Sequence, residues 1–185
     1  MRLPTDVEVD ELYQRFHTPT NIREHMRVVA AIATELGRYH KINIPLLDSA
    51  ARLHDLVRLP QQWEFLPVGI HTPAPHAEIN YLLLKDNFPE VATLIRSHSL
   101  MTLLVEQPFI TDEAKLLYYA DKRVNHATIV SVTDRLTLGQ ERWQVTAQTD
   151  RTPELLDKLF TLESNLFKPI PYDPNHLKDQ LTATH

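Results

Sequence analysis

The chain has 185 residues, 43% of them apolar and 23% charged, an ordinary balance for a single globular domain long enough to bury a core. A net charge of -5 gives no global positive field for nucleic acid or anionic membrane, and no apolar run approaches a membrane span. Cysteine is absent, which removes disulfides and thiolate metal sites, and three glycines leave no GxGxxG or GxxxxGK phosphate loop.

In chain order, Met1-Arg2-Leu3-Pro4-Thr5-Asp6 lacks the apolar core of a signal peptide, so a cytoplasmic location is expected. Thr5 and Asp6 suit the cap of a short helix ending near Phe16. Pro19 breaks the pattern, and Thr20 or Asn21 is predicted to cap a second helix. Steps of three and four place Ile22, His25, Val29, Ile32 and Leu36 on one face of it. Pro45 fits the first turn of a third helix over 46–57, which aligns Leu47, Ala50, His54 and Val57. From Leu59 to Pro75 the periodicity dissolves among five helix-breaking positions: Pro60, Pro67, Gly69, Pro73 and Pro75. Irregular stretches of that length commonly carry function, so a lid or specificity loop is expected there.

A fourth helix over 75–87 gathers His76, Ile79, Asn80 and Leu83. Pro89 opens a fifth, with Val91, Leu94, Ile95 and His98 on one face. Thr111 caps a long sixth helix carrying Leu117, Asp121 and Val124 and extending to Leu136. Residues 139–150 read as a loop, with Arg142-Trp143-Gln144-Val145 ambiguous. Thr152-Pro153-Glu154 opens a last amphipathic helix through Leu159, Leu162 and Leu166, and residues 169–185 read as a frayed tail. The fold class is all-α, with one domain over 1–168 and its core over 18–135.

His25, His54, His76, His98 and Asp121 each fall on the inward stripe of a helix of their own. Any one of these histidines alone reads as a core residue bonded to a carbonyl. A buried aspartate among Leu117, Ala120 and Val124 is more costly without a partner. Separate burial requires five independent solutions, whereas a shared divalent ion requires one. Imidazole and carboxylate donors without sulfur suit manganese, iron, cobalt, nickel or zinc. Asp55, beside His54, has two oxygens and can bridge two ions, and such a pair about 3.5–4 Å apart can hold a hydroxide and clamp a phosphate for in-line displacement. Arg58, one turn past the His-Asp pair, and Lys122 and Arg123, after Asp121, are the cations placed to neutralise that phosphate. For Lys122 and Arg123 an ordinary solvated helix surface is an equal reading.

The order His25, His54-Asp55, Asp121 resembles the H…HD…D signature of the HD-domain metal-dependent phosphohydrolases, over residues 18–135. Thr20-Asn21-Ile22-Arg23-Glu24-His25 and Tyr119-Ala120-Asp121-Lys122 look like the family as well. The resemblance implies a helical bundle with a five-helix core, flanking helices, and a metal held by His25, His54, Asp55 and Asp121. His76 and His98 match the extra histidines of the binuclear branch, in which the motif's aspartate bridges two ions. That branch includes hydrolases of symmetrical diadenosine tetraphosphate and the HD-GYP cyclic-dinucleotide phosphodiesterases. Arg58 stands where many members carry lysine, no GYP-type motif is present, and Arg123-Val124-Asn125-His126 departs from the tetraphosphate hydrolases.

The expectation is a phosphohydrolase in which metal-bound hydroxide cleaves a phosphoester or phosphoanhydride of a small substrate, a nucleotide above all. Asp55, Arg58 and Lys122 are the expected catalytic residues, and Arg58, Lys122 and Arg123 the substrate contacts. A non-catalytic nucleotide-binding module is the alternative. A nuclease ranks lower, because an acidic chain without a basic tract disfavours polynucleotide. Asn80 and Glu24 are candidates to orient ligands. His126 is expected to point away from the cluster, His71 to be a solvated loop residue, and Trp63 and Phe65 to pack or anchor the loop. His17, His40, His176 and His185 have no periodic context.

Overall fold

The computed structural model of the chain describes residues 1–70, 74–143 and 151–183, the side chains of 139–143 and 183 excepted. His71, His185 and the 144–150 part of the expected loop lie outside the described residues. Among the described residues the fold is helical throughout, apart from one two-stranded hairpin.

Local chemistry accounts for most helix starts. In α1 (Asp6–Arg15) Thr5 and Glu8 cap each other reciprocally, Oγ1 accepting from the Glu8 N–H and the Glu8 carboxylate from the Thr5 N–H. α2 (Thr20–Gly37) begins directly after Pro19, so neither Thr20 nor Asn21 caps it; Pro19 leads in with extended backbone. Asn43 caps α3 (Ile44–Leu53) through the Leu46 N–H. α4 (His76–Leu84) follows Pro75, α5 (Pro89–Arg96) starts on a proline, and Thr111 caps α6 (Asp112–Asp121) through the Ala114 N–H.

Several ends differ from expectation. α3 stops at Leu53, which places His54 at its C-cap rather than inside the helix. Residues 60–65 of the supposedly irregular segment form a 3₁₀ helix. α6 ends at Asp121 instead of running to Leu136. Strands β1 (Val124–Asn125) and β2 (Thr128–Ile129) pair antiparallel, and the Val130 N–H donates to the Arg123 carbonyl at 2.8 Å in place of a further helical turn. His126, at φ +55, supplies the left-handed residue of the tight turn. Ser131 then caps α7 (Val132–Trp143) through the Asp134 N–H, so 139–143 are helical rather than loop.

After α8 (Thr152–Phe167) the described residues, through 183, do not fray. Ile170 and Leu177 are buried, and α9 (Leu177–Ala183) lies against α2. The core forms where α2 packs on α3 and α6, α5 packs on α3, and α8 crosses α6 and α7. Met26, Ile32, Leu36, Leu47, Leu53, Tyr118 and Tyr119 are fully buried there, each aliphatic side chain contributing about 1.5–3 kcal/mol. Among the described residues no helix is long and apolar enough to cross a membrane.

Candidate metal centre

The ends of four helices meet beside the second turn of α2. His25 comes from α2, His54 and Asp55 from the end of α3, and His76 from the first residue of α4. His98 follows the end of α5, and Asp121 is the last residue of α6. His25, His54, Asp55, His98 and Asp121 are buried, whereas one third of the His76 side chain is exposed.

Helix ends are useful here because their last carbonyls lack intrahelical partners. His54 Nδ1 lies 2.8 Å from the Ala51 carbonyl and His98 Nδ1 lies 2.6 Å from that of Ile95, each three residues back. His25 Nδ1 is 2.8 Å from the carbonyl of His126 in the hairpin turn. A carbonyl only accepts, so each Nδ1 carries the proton and each Nε2 lone pair is turned towards the cluster.

The two oxygens of Asp55 face different partners. Oδ2 is 3.8 Å from His25 Nε2 and 3.7 Å from His54 Nε2, and Asp121 Oδ1 is 3.1 and 3.7 Å from the same two nitrogens. Oδ1 is 3.3 Å from His76 Nε2 and 3.4 Å from His98 Nε2, and those two nitrogens are 2.9 Å apart. Donors each about 2.0–2.2 Å from one ion stand roughly 3–3.5 Å apart, so both groupings are close to ligating distance. His25, His54 and Asp121 form one group able to hold an ion, and His54, Asp55 and His98 form another. His54 Nε2 and Asp55 Oδ1 are buried without a hydrogen-bond partner, a costly arrangement that a cation resolves.

The electrostatics agree. Burial works against ionising Asp55, but Arg58, His54, His98 and His76 outweigh it and hold the carboxyl well below the usual carboxylate range. Burial likewise opposes ionisation of Asp121, and Lys122 together with His25 and His54 overcomes it. Burial pushes His76 down to about 3 and lowers His98, so both are neutral and able to ligate. His54 shifts upward despite burial, because Asp55 and Asp121 face it. With Nδ1 already donating, the extra proton would occupy Nε2, the atom a divalent ion would take.

Three uncharged side chains hold the turn after the His-Asp pair. Asn80 accepts from the Val57 N–H at 2.9 Å and donates to the carbonyls of His54 and Val57 at 2.9 and 3.1 Å. Gln62 accepts from the Arg58 and Leu59 N–H groups and donates to the carbonyls of Leu56 and Phe16. Thr18 donates to the Leu56 carbonyl at 2.8 Å. Asn80 thus fixes the backbone around His54. Gln62, unmarked by any periodicity, is a residue that sequence reasoning passed over. Glu24 is exposed and has no part in the cluster.

The expected cations separate. Arg58 pairs with Asp55 Oδ2 and Lys122 with Asp121 Oδ2, Lys122 also donating to the His98 carbonyl at 3.1 Å. Arg123 does not reach the cluster as a substrate contact. Its guanidinium bonds the Val130 carbonyl, the Tyr119 hydroxyl, Glu163 and the Pro174 carbonyl, fastening the hairpin to the carboxy-terminal helices. The His126 ring is exposed as expected, yet it borders a cavity of about 170 Å³ that reaches His25, Asp55 and Arg58. A second cavity of about 50 Å³ reaches His76, His98, Asp121 and Lys122. Arg135 of α7 lines both cavities, a placement that depends on the break between α6 and α7. Phe65 anchors its loop by stacking on His17 at 4.0 Å, and Trp63 is partly exposed.

An all-α bundle that brings histidines and aspartates from five helices to one buried point defines a protein built around a candidate divalent-metal centre. The family model of the HD domain matches residues 22–138, most of the chain and every residue of the cluster, and the chain belongs to that family. Membership places it in the superfamily of metal-dependent phosphohydrolases. No curated protein and no solved structure matches the chain.

Proposed function

We propose that this protein is a binuclear metal-dependent phosphohydrolase acting in the cytoplasm on a phosphoester or phosphoanhydride, with nucleotides as its substrate class. The observation that carries the reading is Asp55, whose oxygens are divided between two histidine sets. His25, His54, Asp55 and Asp121 would hold one ion, and His76, His98 and Asp55 the other. The all-nitrogen and oxygen donor set suits manganese, iron, cobalt, nickel or zinc. When bound, such ions supply Lewis acidity towards phosphoryl oxygens and activate water as a nucleophile.

The chain's own residues do the rest. The carbonyls of Ala51, Ile95 and His126 keep three imidazoles in the ligating tautomer. Arg58, at the boundary of both cavities, is placed to neutralise charge on the phosphoryl group in the transition state. Lys122 acts through Asp121 and the His98 carbonyl, holding both in place while bordering the smaller cavity. Nucleotide substrates are supported by the match of His76 and His98 to the binuclear branch, which includes dinucleotide hydrolases.

The test is phosphate release over a nucleotide panel with manganese, cobalt, nickel and iron, alongside elemental analysis of the purified protein. Wild type should carry stoichiometric metal and turn over. Asp55→Ala should lose both while keeping its helical circular-dichroism signal, and native turnover in that variant would refute the reading.

A further inference from the structure

The capped start of α7 delivers a second arginine to the cluster. Ser131 accepts from the Asp134 N–H at 3.0 Å, and its carbonyl accepts from the Arg135 N–H at 3.0 Å. This sets Arg135 one turn into the helix, facing the metal centre. The larger cavity reaches His25 and one side of Asp55, and the smaller reaches His76, His98 and Asp121. Arg58 and Arg135 are the residues the two cavities share. Arg135 is only 8% exposed, and it lines both cavities beside Asp55 and Asp121. The side chain is therefore held in the wall of the two cavities rather than out in solvent.

We propose that Arg135 is a substrate-binding residue, forming with Arg58 a two-guanidinium clamp on a phosphoryl group that presents oxygens to both cavities. The inference rests on the phosphohydrolase reading and assigns it a residue outside the H…HD…D signature. Two divalent ions against the two carboxylates of Asp55 and Asp121 leave a net positive site, which calls for an anion of more than one charge. A planar guanidinium fork bonds two oxygens of a tetrahedral oxyanion at once, which an ammonium cannot do. The α6–α7 hairpin therefore has two functions, since it also carries the His126 carbonyl that orients His25.

The test measures inorganic phosphate binding to the manganese-loaded full chain by calorimetry, for wild type, Arg135→Gln and Arg135→Lys, with manganese content recorded for each. Arg135→Gln should weaken phosphate binding about tenfold or more at unchanged manganese content, with Arg135→Lys between it and wild type. In hydrolysis the loss should appear in KM as well as kcat. A purely structural role would instead reduce manganese content or thermal stability and leave phosphate affinity per loaded site within about twofold of wild type, overturning the proposal. If metal-loaded wild type binds no phosphate, the phosphohydrolase reading falls and the clamp with it; if wild type binds and both variants match it, only the clamp falls. Should Arg135→Gln not fold, a crystal structure of the wild type with manganese and phosphate decides the matter. Phosphate oxygens beyond hydrogen-bonding distance of the Arg135 guanidinium would overturn the assignment.

Discussion

The two halves of the His-Asp cluster are built to different standards. On the Asp121 side, His25 and His54 are buried, each is fixed through Nδ1 by a backbone carbonyl, and the turn behind His54 is held by Asn80, Gln62 and Thr18. On the other side His98 is fixed in the same manner, but His76 opens its helix, is one third exposed, and among the described residues is held only through Nε2. Preorganised ligands lose little freedom when they bind, so the first half should take an ion more tightly than the second. The oxygens of Asp55 face both halves, so its loss should not be confined to either.

That contrast can be broken outright at Asp55. Asp55→Asn should cut turnover by about a thousandfold or more and release both ions, because the amide offers one oxygen and no charge. Phosphate release and elemental analysis read the two effects together. Next comes the asymmetry. His54→Ala should leave less than one ion per chain, while His76→Ala should retain one, and titration of the wild type with a chelator should remove metal in two stages. A His76→Ala protein that emptied completely would show the halves to be equivalent. Asn80→Ala should lower unfolding free energy by about 2–4 kcal/mol, since it leaves several buried backbone groups unpaired, and urea denaturation measures it. Arg123→Gln should cost about 1–3 kcal/mol of stability with KM unchanged, which distinguishes its fastening role from the substrate contacts. The smallest effect is expected at His126→Gly. Relief of the left-handed backbone and the added freedom of the unfolded chain nearly cancel, within about 1 kcal/mol, and metal content should hold because the carbonyl that orients His25 stays in place.

Much of the His-Asp cluster could be read before the fold was known because its helical members obey a one-dimensional rule. His25 recurs with Ile22 and Val29, and Asp121 with Leu117, so the inward stripes of α2 and α6 identify them. Arg123 shows where such reading stops. Its position beside Lys122 says nothing of Glu163 or Pro174, partners 40 and 51 residues away. The hairpin did leave a signal in the β-branched density of Val124, Thr128, Ile129 and Val130, which is unfavourable in a helix. No proline or glycine between 121 and 136 marked the break.

By itself the amino-acid order determined the helices, most of their capped starts and the chemistry of the donor set, because capping and amphipathic periodicity act over three or four residues. Tertiary structure alone decided that α3, α5 and α6 stop at or just before their cluster residues, that Arg135 lines both cavities beside the cluster, and that the carboxy-terminal segment packs against α2. A helix ends where its last carbonyls find better partners than another turn would give them. Here those partners are the imidazoles of His54 and His98, three residues on, and the amide of Asn80 from another helix.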